Sequence, residues 1–360
     1  MGVAHAVLLA VLSMAFLGCV AGARLQADAG STLGPRAGID DTVPHLSSVY
    51  VELKNGRCAS LDAAGWALEL DAMLAMGVRS VVTKNVVRNP HRISGTYEAS
   101  YPSKLGWVTA TAENDAVEAL LVAADARNVS VSLGHFEDHV WFNKTLRTPE
   151  YLSELAARCI QVQDELAASY GHHASYVGSY DPQETNARSF AADAEREALV
   201  RNYLAPVWGS ARARGLATSA APFFSPNTSD PKEHAAWWDK ALAALPAGSL
   251  TTAFLDDDLA TNFYTVEGPL PFFAAAAKVM RARGVAVWSD AVDHTHGDEP
   301  CDAVRFAKQL QLEAPLLDGP GAFTSFEWCY YFSPMSGDKP KALYDGYMAY
   351  LRNGTQSFRR

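Results

Sequence analysis

Gln183 and Glu184 close an apolar, β-rich run, "VGSYDPQETNA" (177–187), in which Pro182 is expected to end the strand. A strand end is a poor place for a structural charge and a good one for a catalytic acid, provided the strand belongs to a barrel of the right kind. Similar positions recur along the chain. Lys84 and Asn85 follow "VRSVVT"; His135, Glu137, Asp138 and Trp141 follow "VSVSLG"; Phe224, Ser225 and Asn227 follow "LATSAAPFF". Asp256, Asp257 and Asp258 follow "LTTAFL", and Trp288, Asp290, Asp293 and His294 lie in and after "VAVWSD". Glu327 and Trp328 end "AFTSFEW". Carboxylates therefore alternate with aromatic rings at successive strand ends. Glycoside hydrolysis needs that mixture: one carboxyl group protonates the leaving oxygen, and a second acts as nucleophile or activates water. Aromatic faces and polar side chains hold the sugar.

The elements that must position these residues alternate in type to the C-terminus. Strands are expected at 46–53, 78–83, 129–134, 175–181, 216–224, 250–256, 285–290 and 322–328. Helices are expected at 60–77, 115–128, 149–170, 189–214, from 231, and near 269–283, 301–311 and 340–351. Apolar spacing places Trp66, Leu70, Met73 and Leu74 on one helical face. Thr148, Pro149 and Gly171 bracket another helix, and Asp230, Pro231 and Glu233 resemble a capping box. Eight strand-then-helix units predict a single-domain α/β protein, a (β/α)₈ TIM barrel over 45–352, with a long loop after the second strand at 85–113. A doubly wound open sheet is the alternative. "ELKNGRCAS" after the first strand carries no glycine-rich phosphate turn of the kind such sheets favour.

The ordered motifs resemble a family of glycosidase-like TIM barrels, catalogued as a domain of unknown function and common in polysaccharide-degrading bacteria. The similar stretches are W-x-x-E-L-x-x-M-x-x-M-G (66–77), "YPS" (101–103), "LGHFEDHVW" (133–141), "GSYDPQE" (178–184), "APFFSP" (221–226), "FLDDD" and "YYFSP" (330–334). The resemblance implies a barrel acting on a carbohydrate. Where that family has a Glu shortly after the seventh-strand Trp, "VWSDAVDH" offers Asp290 or Asp293.

Glu184 is read as the general acid, with Asp290 as its partner because strand ends four and seven face each other across a barrel mouth. His135, Glu137, Trp141, Gln183, Asp256, Asp257, Trp288, Asp293, Glu327 and Trp328 are the candidate sugar-binding residues. A carbohydrate-binding barrel without catalysis is the second reading. "HTHGDEP" (294–300) contains zinc-type ligands, but metal-dependent barrel hydrolases tend to carry His-x-His on the first strand, and this one has none. Neither a metal nor an organic cofactor is expected. G-x-S-x-G and Walker motifs are absent from the sequence.

A hydrophobic share of 49% suits a large globular core, and a net charge of −10 without a basic patch argues against nucleic acid or an anionic membrane surface as partner. "AVLLAVLSMAFLGCVA" (6–21) with "AGA" after it reads as a signal peptide over 1–23, followed by a leader (24–44); 353–360 is a tail. No later stretch is apolar enough to span a bilayer. Sequons at Asn128, Asn143, Asn227 and Asn353 and four remaining cysteines fit an exported chain. Cys159 is read as a buried thiol. Cys301–Cys329 is the favoured bridge, and Cys58 the competing partner of Cys329. Export predicts a mature N-terminus near Arg24 and glycan on at least one Asn in a eukaryotic host. N-terminal sequencing and a glycosidase-sensitive gel shift check it; an intact Met1 with unchanged mobility would refute it.

Overall fold

The computed structural model describes residues 42–354, apart from 55, 91–94, 144–146, 225–229, 261–262 and 264. The signal peptide, most of the leader, the Asn227 sequon, Ser225 and the tail from 355 lie outside the described residues.

Eight parallel strands run in sequence order around one sheet: β1 (Ser48–Val51), β2 (Ser80–Thr83), β3 (Ser130–Gly134), β4 (Tyr176–Thr185), β5 (Ala217–Pro222), β6 (Thr252–Asp256), β7 (Ala286–Asp290) and β8 (Phe323–Thr324). Main-chain bonds from Ser47 N to Phe323 O (3.1 Å) and Tyr50 N to Ser325 O (2.9 Å) bring the ends together. The fold is the expected (β/α)₈ barrel. The outer helices are α1 (Ala63–Ala75), α2 (Ala116–Asp125), α3 (Pro149–Tyr170), α4 (Asp193–Leu199), α5 (Ala205–Ala213), α6 (Pro231–Ala243), α7 (Leu270–Ala282), α8 (Ala303–Glu313) and α9 (Asp338–Asn353).

Side-chain caps start these helices where the sequence places Asp or Thr before an apolar run. Asp62 accepts from Gly65 N, Asp115 from Glu118 N, Thr148 from Tyr151 N, Asp230 from Lys232 N and Asp302 from Arg305 N. The expected single helix over 189–214 is instead three pieces, with a wide π turn at Val200–Leu204 between α4 and α5. Pro206 explains the widening, since it has no N–H to bond one turn back.

Two strand boundaries also differ from expectation. β4 continues through Pro182 to Thr185, and its ladder with β5 shifts register between Asp181 and Thr185. A bulge tolerates a proline that cannot donate to the ladder, and it re-aims the side chains that follow. β8 is only two residues long. Glu327 ends it by accepting from Tyr330 N (2.8 Å), which starts a π turn at Trp328–Phe332.

The described residues of the loop at 85–113 form a small sheet. Its short strands Ala110–Thr111, Glu98–Ala99 and Val87–Asn89 pair in that order and end on Phe136–Asp138. Glu165 on α3 holds "YPS" down through Tyr101 Oη (2.7 Å), Ser103 Oγ (2.6 Å) and Lys104 N (2.5 Å).

The disulfide joins Cys58 to Cys329, not Cys301 to Cys329; Cys159 and Cys301 are buried thiols. The turn after β8 packs toward the turn after β1, Arg57–Ser60, so Cys329 meets Cys58 first. Gly56 makes that approach possible: its φ is 61°, and a Cβ there would lie 2.8 Å from the Tyr330 ring. Peptide mapping without reductant should recover Cys58–Cys329 alone, and Cys58→Ser should cost ~2–4 kcal/mol of stability. A Cys301-containing bridge would overturn this pairing.

Candidate active site

Residues two apart on a strand share a face, so the lumen fills in layers. Tyr50 pairs in register with Val82, and Phe254 with Trp288. Tyr50, Val82, Tyr180, Ala221 and Phe254 form a small core of their own inside the barrel, with Trp288 and Phe326 against it. Their rings meet edge to face, Tyr50 lying 5.1 Å from Tyr180, 5.9 Å from Phe254 and 6.0 Å from Phe326. Two residues further along β6 and β7, Asp256 and Asp290 sit side by side in register above this aromatic floor.

A cavity of about 170 Å³ opens on that layer, at the C-terminal ends of the strands. It is lined by Tyr50, Lys84, Tyr180, Glu184, Ala221, Asp256, Asp258, Ala260, Asp290, Val292, His294 and Phe326. Compared with the ~300–1,000 Å³ of ordinary ligand pockets, it is small. It suits one ring-sized polar group, with the remainder of a larger ligand outside.

Of the residues singled out from the sequence, Glu184, Asp290 and Asp256 are brought together here, with Lys84, Asp258 and His294 beside them. Glu184 does not cap the turn that follows it; Asn186 accepts from Ser189 N instead (2.8 Å). Two neighbours hold its main chain. Trp141 Nε1 donates to Glu184 O (2.8 Å), and Gln183 Nε2 donates to Phe136 O (2.9 Å). Trp141 is wedged between Phe190 and Tyr203. Trp141 and Gln183 therefore position Glu184 from behind and do not line the cavity.

The other candidates also lie outside the cavity lining, each for a visible reason. Trp288 faces the lumen below, edge-on to Phe254 at 6.0 Å. Glu137 accepts from Asn85 Nδ2 (2.6 Å) and lies 3.8 Å from Lys84 Nζ. His135 is buried with Nε2 3.9 Å from Asp181, and burial lowers its pKa toward the neutral ring. Asp257 turns away to accept from Leu259 N (3.1 Å), Val292 N (3.3 Å) and Gln309 Nε2. Asp293 accepts from Ser325 Oγ (2.9 Å) and Glu327 N (3.1 Å). Glu327 accepts from Glu52 N (2.8 Å) as well as Tyr330 N, tying β1 to the turn after β8. Trp328 is core, donating to Glu69 Oε2 (2.8 Å). Buried carboxylates with main-chain donors are saturated, which leaves them little to offer a ligand.

Tyr50, Tyr180 and Phe326 were not among the sequence candidates. Tyr50 and Tyr180 sit inside strands among apolar residues, a pattern indistinguishable from ordinary core. His294, from the "HTH" stretch, does line the cavity and stacks on Tyr331 (4.4 Å, 12° between planes). His296 turns elsewhere, toward Phe263 O (3.4 Å).

Burial sets the protonation of this cluster. It raises the pKa of Glu184, with Glu137 adding to the effect and Lys84 opposing it. Asp290 is pushed well above the carboxylate range by burial, then by Asp257, Asp293 and Glu184, again against Lys84. Asp256 is pushed up by burial and by Asp290, Asp258 and Asp257. Lys84 stays charged: burial acts to lower its pKa, but Glu137, Glu52 and Glu184 together raise it.

Comparisons with known proteins bear on the family and the fold. Residues 49–338 match the family described as "Domain of unknown function (DUF4434)". The chain belongs to that family. No curated protein sequence matches it. Among solved structures, it is similar to a protein from Bacteroides thetaiotaomicron VPI-5482 provisionally named an alpha-L-fucosidase: TM-score 0.70, 16% identity, covering 90% of this chain and 98% of that one. It is also similar to an endo-1,4-beta-mannanase from Rhizomucor miehei, with TM-score 0.53, 8% identity, and 87% and 96% covered. At such identities the likeness is one of fold.

Asp256 carries a test of the electrostatics. Its folded pKa lies above the unfolded value of ~3.9, so the native state binds more protons and stability falls as pH rises through that window. Asp256→Asn keeps the acceptor for Asp258 N (2.8 Å) and removes the charge. The variant should melt roughly 2–4 °C higher at pH 7, on the order of 1 kcal/mol, and unchanged near pH 4. Equal shifts at both pH values would contradict the assignment.

Proposed function

We propose that this DUF4434 domain is a glycoside hydrolase of the secretory pathway or cell exterior. The observation that carries the reading is the cavity at the strand C-termini, where Glu184 and Asp290 open onto one small space above an aromatic floor. The barrel likeness to an endo-1,4-beta-mannanase and to a protein provisionally named a fucosidase supports a carbohydrate substrate. The disulfide supports an oxidising compartment. Among the described residues, no helix is long and apolar enough to cross a membrane.

Glu184 acts as general acid. Burial keeps its carboxyl group protonated toward neutral pH, where it can donate to the leaving oxygen. Asp290 acts as the second carboxylate. Asp256 and Asp290 are register partners and cannot both ionise easily, so the pair holds one proton over a range of pH. Lys84 acts to lower the raised pKa of Asp290, and the N–H of Asp258 acts the same way on Asp256. Tyr50, Tyr180 and Phe326 provide ring faces and edges for the sugar, and Lys84, Asp258 and His294 provide polar contacts.

Glu184→Gln preserves shape and removes the transferable proton. Its rate on an unactivated glycoside should fall ~10²-fold or more, with binding retained. A substrate whose leaving group needs no protonation should be affected far less. Asp290→Asn should lose activity on both. A glycan panel scored for hydrolysis and binding finds the substrate. Binding without turnover would favour the carbohydrate-binding reading, and a Gln variant equal to the parent would remove Glu184 from catalysis.

A further inference from the structure

A second polar cluster lies on the outside of the barrel, along α2 and the turn that leads from α3 into β4. His173 and its neighbour His172 follow α3, where the sequence pattern suggests side chains that cap its last carbonyls. The His173 ring does something else. Its Nδ1 lies 2.7 Å from Asp125 Oδ2, and its Nε2 lies 3.0 Å from Glu118 Oε2. The His173 side chain is only 5% exposed, whereas that of Glu118 is 43% exposed, so the site is walled on one side and open to solvent on the other.

Both ring nitrogens thus face carboxylate oxygens. With the proton on Nδ1 toward Asp125, the Nε2 lone pair points at the lone pairs of Glu118. Two acceptors do not approach to 3.0 Å unless a cation lies between them. That cation is either a second proton, giving an imidazolium between two carboxylates, or a metal ion. A proton there makes no use of His172. The structure nevertheless places the His172 ring beside His173, with centroids 4.1 Å apart and planes tilted by 40°. One ligand atom each from Glu118, His172 and His173 lie within 4.8 Å of one another, the only such group of three among the described residues.

We propose that Glu118, His172 and His173 bind a divalent transition-metal ion, zinc by the nature of the ligand set. Two imidazoles and one carboxylate are a common zinc triad, leaving a fourth position for water. Bonds of ~2.0–2.1 Å in a tetrahedron put ligand atoms ~3.3 Å apart, close to the separation already present between His173 Nε2 and Glu118. Asp125 completes the arrangement from outside. A carboxylate on the far ring nitrogen fixes the tautomer and orientation of a ligating histidine. Asp125 is itself anchored, accepting from Ser175 N (2.7 Å) through its other oxygen.

The ion would clamp α2 to the entry of β4. Glu184 sits near the other end of β4, eight residues from Tyr176, or roughly 26 Å of strand. The site is therefore structural and separate from the proposed catalysis. Its existence does not depend on glycosidase activity.

Titration of the full-length chain with zinc chloride by calorimetry tests the proposal. One zinc per chain is expected, weakened tenfold or more by His172→Ala and by Glu118→Gln, and unaffected by His296→Ala. Saturating zinc should raise the melting temperature of the parent by roughly 5 °C, and the His172→Ala variant should need at least tenfold more zinc for the same rise. His172 is exposed, so truncating it leaves no cavity in the core and its variant should fold. An absence of stoichiometric binding, affinity retained in His172→Ala, or loss of binding in His296→Ala would each overturn the site.

Discussion

The Lys84 ammonium is what lets a ring of carboxylates share one small cavity. Glu52 lies 3.6 Å from it and Glu137 3.8 Å, and its field reaches Glu184 and Asp290 as well. Its charge also lies over the Phe326 ring, 5.0 Å from the centroid. Like charges packed at such distances in a poorly hydrated mouth would otherwise protonate or push the strand ends apart. One cation at the centre limits both, leaving protons unevenly distributed rather than uniformly present. Uneven protonation is what acid–base chemistry requires.

Lys84 reaches that position because of a close approach between β2 and β3. A Cβ on Gly134 would lie 2.2 Å from Lys84 O and 2.4 Å from Thr83 O, so the strand end admits no side chain. Thr83 Oγ1 accepts from Gly134 N (2.8 Å), and Val86 N returns to Gly134 O (2.9 Å). The loop that follows then leaves the barrel to build its small sheet. Among its described residues the loop lines none of the cavity; it supports Phe136 and Glu137, which in turn support Gln183 and Lys84.

Several carboxylates around the mouth hold the protein together instead of facing a ligand. Glu69 on α1 accepts from Trp328 Nε1, Ser333 Oγ (2.7 Å) and Arg57 Nε (2.8 Å), fastening the turn after β8 next to the disulfide. Glu327, Asp293 and Asp257 perform the same service for β1, β8 and the segment after β7. Removing one such partner strands several buried N–H or O–H donors at once, so these side chains matter as much to rigidity as the apolar core does.

The alternation of apolar patterns, the caps at Thr148 and Asp230, and most of the strand positions were legible in the sequence by itself, because period and capping are local properties. They were enough to determine an eightfold barrel and to place Glu184, Asp256 and Asp290 at its mouth. Tertiary structure decided the rest. A strand end does not say which of two adjacent residues faces the lumen; that depends on register and bulges. Asp257 turned outward beside an inward Asp256, and the bulge at Pro182 gave Glu184 the cavity and Gln183 the interior. Tyr50 and Tyr180 looked like core because they are core, and the cavity simply reaches down to them. Cys329 paired with Cys58, the competing partner in the sequence, because the π turn after β8, held by Glu327, lies against the turn after β1.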